Sequence, residues 1–165
     1  MDLIVEGSGT ARFGDRVVRC ATGRAGITRA KREGDGATPA GSFACRLVYW
    51  RADRLARPAT SLPTAKLAPD AGWCDAPGDP NYNRPVLLPY PASAEALWRD
   101  EAIYDLIVPL GYNDEPVRAG LGSAIFLHVA RPDFAPTLGC VALGRDDLIA
   151  FLAVARTGSR VVVQG

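Results

Sequence analysis

Histidine occurs once in this 165-residue chain, at position 128, and lysine twice, at Lys31 and Lys66. One imidazole cannot complete the usual zinc patterns. The four cysteines, Cys20, Cys45, Cys74 and Cys140, lie far apart with no C-x-x-C pair, so no structural metal site is expected. The basic charge is almost all arginine and balances the acidic residues to a net charge of +1. No basic excess marks a nucleic-acid-binding surface, and no nucleic-acid partner is expected. No run approaches the roughly 18 apolar residues that cross a bilayer, so no membrane span is expected. The opening Met1-Asp2-Leu3-Ile4-Val5-Glu6 lacks a basic region followed by an apolar core, and no signal peptide is visible.

Glycine (17) and proline (13) are plentiful and punctuate a series of short apolar runs. Leu3 to Val5, Val17 to Cys20, Phe43 to Trp50, Tyr104 to Leu110, Ala124 to Val129, Cys140 to Leu143 and Arg160 to Val163 read as strands. Two helices are expected. Ser93 caps a short one over Ala94 to Arg99. The other runs from Arg145 to Arg156, with an apolar stripe of Leu148, Ile149, Phe151, Leu152 and Ala155 and with Asp146 and Asp147 in its first turn. Arg57 to Pro91 shows no periodicity and reads as a long loop, a candidate lid carrying Trp73, Tyr82 and Arg84. A chain of this length buries about two-thirds of its unfolded surface and needs no disulfide or metal to fold. The expected fold is mainly β: residues 1–165 as a single-domain β-sandwich of mixed sheets with one or two peripheral helices.

The chemistry concentrates in one stretch. Cys140 follows glycine in Thr137-Leu138-Gly139-Cys140-Val141, and His128 lies twelve positions upstream on the run Ser123 to Ala130. A connector with two prolines, Pro132 and Pro136, separates them and can bring thiol and imidazole together. A thiol needs a base or a lowered pKa to act as a nucleophile at neutral pH, and one imidazole supplies either. Gly139 lets the backbone approach a substrate closely, so the amides of Gly139 and Cys140 are candidates for an oxyanion hole. By strand alternation His128 shares a face with Phe126, opposite Ile125, Leu127 and Val129. Asp133, Ser123 or a backbone carbonyl is left to orient its second ring nitrogen. Cys20, Cys45 and Cys74 read as small buried hydrophobes.

Together with Thr38-Pro39-Ala40-Gly41-Ser42-Phe43, these residues resemble the catalytic domain of the L,D-transpeptidases, the YkuD-like family. The family has an early T-P-x-G-x-F segment, then an apolar strand ending in histidine, then S/T-x-G-C and an apolar residue. Tyr112 falls where the family often has an aromatic residue. The chain departs from the family at four points. Leu138 stands where a second histidine is usual, Ala142 where arginine or asparagine is, and Val129 where glycine commonly follows the first histidine. The histidine-to-cysteine spacing is also shorter.

The resemblance implies a cysteine acyltransferase with Cys140 as nucleophile and His128 as base, needing no cofactor or metal. It implies partners in peptidoglycan stem peptides, as acyl donor and acceptor, inhibition by carbapenems, and work in the cell envelope (periplasm). Tyr112, Arg131, Thr137, Trp73, Tyr82 and Arg84 are the candidate substrate contacts. Crosslinks of 3-3 or 1-3 type are both open, with the altered site favouring 1-3. Hydrolysis of stem peptides or wall anchors on the same fold is the first alternative. A sortase-like enzyme, which Thr137-Leu138-Gly139-Cys140 partly echoes, or a non-catalytic wall-binding domain is more distant.

Overall fold

In Leu3-Ile4-Val5-Glu6 the side chains of Leu3 and Val5 are fully buried and their neighbours are not, the period of two that a half-buried strand requires. The computed structural model describes residues 1–165 and repeats this pattern through short strands. In chain order they begin with β1 (Leu3–Glu6), β2 (Thr10–Phe13), β3 (Arg16–Ala21), β4 (Ile27–Thr28) and β5 (Thr38–Pro39). Next come β6 (Gly41–Ala44), β7 (Val48–Trp50), β8 (Thr64–Lys66), β9 (Ala71–Cys74), β10 (Pro85–Leu87) and β11 (Ala94–Ala96). A 3-10 turn (Ala102–Tyr104) leads into β12 (Leu106–Pro109), β13 (Phe126–Val129) and β14 (Val141–Leu143). The single α-helix, α1 (Arg145–Val154), and β15 (Arg160–Val163) complete the chain.

Ten strands form one mixed sheet in the order β6-β15-β1-β2-β3-β14-β13-β12-β7-β8. β6 and β7 stand near opposite ends of that order, yet only Cys45, Arg46 and Leu47 separate them in the chain. This corner folds the sheet over: Arg46 N–H donates to Pro109 O at 3.0 Å and Gly111 N–H to Ala44 O at 2.8 Å. Residues from both halves, among them Leu3, Phe43, Val48, Leu106 and Leu127, therefore share one core. The fold is mainly β, as expected. α1 packs Leu148, Phe151 and Leu152 into the same core, with the Phe151 ring edge-on to Phe13 at 5.5 Å.

Several local expectations are corrected. Ala94 to Arg99 is not a helix: Ala94–Ala96 is strand β11, paired with β9 so that Glu95 lies opposite Trp73. Ala, Glu and Leu favour helix intrinsically, but pairing with β9 overrides the propensity. Arg57 to Pro91 is not structureless, since it contains β8, β9 and β10, and β10-β9-β11 make a small antiparallel sheet. Phe43 to Trp50 is two strands rather than one, and β2 was not anticipated.

The early Thr-Pro-x-Gly-x-Phe segment lies against the turn that carries Cys140. Thr38 is fully buried; its hydroxyl accepts from Gly23 N–H at 2.8 Å and donates to Cys140 O at 3.4 Å. Gly23 itself bridges Thr137. A Cβ on Gly23 would collide with the Gly36 carbonyl and come within 2.9 Å of Ala37 C, backbone that cannot step aside. Gly23→Ala should therefore lose roughly 1–3 kcal/mol of stability. Denaturant melts of the variant against the wild type check this.

Candidate active site

β13 and β14 run parallel, with Leu127 opposite Val141 and His128 opposite Ala142. Alternation sends Ile125, Leu127 and Val129 into the main core and leaves Ala124, Phe126 and His128 on the other face. There the Cys140 thiol meets Phe126, whose N–H donates to Sγ at 3.4 Å. Cys140 and His128 line the same cavity of about 400 Å³. No hydrogen bond joins them; the thiol proton points instead at Ala124 O, 3.2 Å away.

The turn before Cys140 is tightly tied. Thr137 Oγ1 accepts from Gly139 N–H at 3.1 Å and donates to Cys140 O at 2.7 Å. Gly139 has φ +139°, and a Cβ there would lie 2.9 Å from Ala37 O, so only glycine fits. With the Gly139 amide held by Thr137, the Cys140 N–H is the one of the expected pair that donates to no atom of the protein.

His128 Nδ1 lies 2.9 Å from Val129 O. A carbonyl only accepts, so Nδ1 carries the proton and Nε2 is left as the basic nitrogen. Of the orienting groups left open by the sequence, a backbone carbonyl is the one found. Ser123 donates to Glu33 and Asp133 accepts from Ala135 N–H. The Tyr104 ring stands edge-on to the imidazole at 5.2 Å.

Burial governs the protonation of both groups. Desolvation pushes the Cys140 thiol up to about 12, and the negative charge of Glu95 adds to it. Desolvation pushes His128 down to about 4, which the hydrogen bond to Val129 O offsets only in part. The resting pair is thus a neutral thiol and a neutral imidazole. The nucleophilic chemistry open to such an arrangement is general base catalysis, with the proton leaving sulfur as a carbonyl is attacked.

The family model of the L,D-transpeptidase catalytic domain (YkuD) matches residues 3–163. The chain belongs to this family. None of the curated proteins compared with it matches. L,D-transpeptidase 3 of Mycobacterium tuberculosis, solved with a faropenem-derived adduct, is 15% identical with a TM-score of 0.49. The alignment covers 99% of this chain and 59% of that one. L,D-transpeptidase 1 of the same organism is 14% identical with a TM-score of 0.43, over 99% of this chain and 61% of that one. An L,D-transpeptidase from Mycobacterium smegmatis is 12% identical with a TM-score of 0.44, over 99% and 58%. The chain thus spans about three-fifths of the length of these transpeptidases.

The other expected site residues of this L,D-transpeptidase family member are scattered. Arg131 and Thr137 reach the cavity wall, but Arg131 pairs with Glu101 at 2.8 Å and the Thr137 hydroxyl braces the turn. Tyr112, Trp73, Tyr82 and Arg84 lie off the cavity wall. Tyr112 packs edge-on to Phe43, Trp73 edge-on to Phe126, Tyr82 donates to Glu33, and Arg84 donates to Asp114 O. At the family's variant positions, Leu138 is 74% exposed at the cavity while Ala142 and Val129 are buried in the strands. Unanticipated residues on the wall include Glu33, Asp75, Glu95 and Arg99. Glu95 Oε1 accepts from Tyr104 at 2.6 Å and from Arg99 at 3.0 Å, and Asp75 Oδ1 is buried without a hydrogen-bond partner. No local pattern in the sequence marks them, because Glu95 and Asp75 reach the wall through the pairing of β11 with β9.

The depressed His128 pKa links stability to pH. Above pH 6.5 the ring is neutral in both folded and unfolded chains. Between 6.5 and about 4 the unfolded chain binds a proton that the folded one excludes, so stability falls as pH falls. The loss over that window is roughly 3 kcal/mol. Urea unfolding across this range should show the slope in the wild type, and His128→Gln should lack that part of it.

Proposed function

We propose that the chain is a cysteine-dependent L,D-transpeptidase acting on peptidoglycan stem peptides in the cell envelope, with residues 1–165 forming one catalytic domain. The observation that carries this is the convergence of Cys140 and His128 on one cavity, in a chain of this family. As Cys140 Sγ attacks the carbonyl of an L-centre to D-centre peptide bond, its proton passes to His128 Nε2. The Cys140 N–H donates to the developing oxyanion. Collapse of the tetrahedral adduct breaks the C–N bond, His128 protonates the departing amine, and a thioester remains. The amine of a second stem then attacks the thioester and gives its proton to His128. The C–S bond breaks, and the thiol is restored with a crosslink formed.

Both acidic and basic side chains stand on the cavity wall, among them Glu95, Asp75, Lys31 and Arg131, which suits a substrate carrying both ammonium and carboxylate groups. We favour the 1-3 crosslink. The position after the nucleophile that the family usually gives to arginine or asparagine is Ala142, buried at 1% exposure and unable to touch a donor stem.

Incubation with sacculi followed by muropeptide mass spectrometry tests the proposal. Crosslinked dimers are expected, and trimmed stems without dimers would assign the chain to hydrolysis instead. His128→Gln should fold and lose on the order of 100 to 10,000-fold in rate. Near-normal turnover would remove His128 from the base role.

A further inference from the structure

Asn83 lies far from Cys140 in the chain and outside the cavity wall, yet its side chain is tied to the backbone around the nucleophile. It is 3% exposed and all its hydrogen-bonding capacity is used. Oδ1 accepts from Trp73 Nε1 at 2.9 Å and from Ala124 N–H at 3.0 Å. Nδ2 donates to Tyr112 O at 3.0 Å and to Asn113 O at 2.8 Å. Two carbonyls on one side and two N–H groups on the other allow only this orientation of the amide.

Ala124 is the unusual residue in this chain of contacts. It is buried, it is not glycine, and its φ is +51°, a left-handed conformation that an L-residue with a Cβ takes at an energetic cost. Its N–H is held by Asn83 and its carbonyl receives the Cys140 thiol proton at 3.2 Å. A local strain beside a nucleophile persists only where neighbours impose it, and the Asn83 amide is the neighbour that binds Ala124 N–H.

We propose that Asn83 is a positioning residue for the nucleophile: by holding Ala124 in its left-handed conformation it aims the Ala124 carbonyl at Cys140 and fixes the thiol at the cavity. This rests on the assignment of Cys140 as nucleophile. The network ties the region read from sequence as a lid to the catalytic thiol through hydrogen bonds, not through contact with substrate. Without it, Ala124 relaxes, its carbonyl turns away, and the thiol loses both a fixed direction and a partner that favours its protonated form.

Asn83→Gly tests this, because glycine removes the amide while tolerating the φ of +56° found at position 83. Acylation of Cys140 by a carbapenem should fall about tenfold, while alkylation by the small neutral reagent iodoacetamide at fixed pH should rise. A purely structural loss would not be repaired by making the protein smaller. The double variant N83G/A124G should nonetheless recover part of the acylation rate, since glycine at 124 takes a positive φ freely. A folded N83G acylated at the wild-type rate, or a double variant with no recovery, would overturn the proposal. Should the variants not fold, hydrogen exchange in the wild type decides. The Ala124 amide should be protected as long as those of β13, and exchange as fast as exposed loop amides would contradict the network. Failure of the wild type to acylate at Cys140 would count instead against the transpeptidase assignment, and the Ala124 exchange rate would still test the Asn83 contact.

Discussion

The parallel pairing of β13 with β14 is the constraint on which the site depends. It puts His128 opposite Ala142 and so sets Cys140 two places back, beside Phe126, on the same wall as the imidazole. A slip of one residue in either strand would turn its functional side chain into the main core. The connector between them holds no helix, and its end is secured on both sides. Thr137 N–H donates to Thr22 O, Arg24 N–H donates to Thr137 O, and the Thr38 and Thr137 hydroxyls both reach Cys140 O. Register and braced turn together set where Cys140 stands on the cavity wall.

Burial then imposes a second condition. Desolvation of the two side chains raises the thiol pKa and lowers that of the imidazole, which favours neutral thiol and neutral imidazole over thiolate and imidazolium. Glu95 reinforces this by placing negative charge near sulfur. A thiol held in its protonated form is a weak nucleophile, so the proposed reaction relies on proton transfer during attack, when a bound carbonyl and a nearby N–H share the developing charge. The remaining cysteines differ in another respect. Cys20, Cys45 and Cys74 are as buried as Cys140, but none of them lines the cavity.

The parts of this architecture legible in the sequence are those governed by local pattern. The apolar runs at Leu3, Val17, Ala124, Cys140 and Arg160 became strands, and the Arg145 stripe became α1. The Gly-Cys pair and the lone histidine stood out because thiol chemistry requires a base and a close backbone approach, and the fold brings both to one cavity. What could not be read was set by long-range pairing. Ala94-Glu95-Ala96 has helical composition and became a strand only because β9 was available to pair with it. Phe43 to Trp50 carries no glycine or proline to mark its corner, which is defined by hydrogen bonds to Pro109 and from Gly111. Tyr82, Trp73 and Arg84 have the side chains of a binding surface, but packing and hydrogen bonds within the protein engage all three. Asn83, between two of them, had no sequence signal at all.

That Cys140 is the nucleophile is tested most directly by exposing the purified protein to a carbapenem and mapping the adduct by peptide mass spectrometry. One equivalent should be found on the peptide bearing Cys140, with the three other cysteines unmodified. An adduct on Cys20, Cys45 or Cys74 with Cys140 free would contradict the assignment.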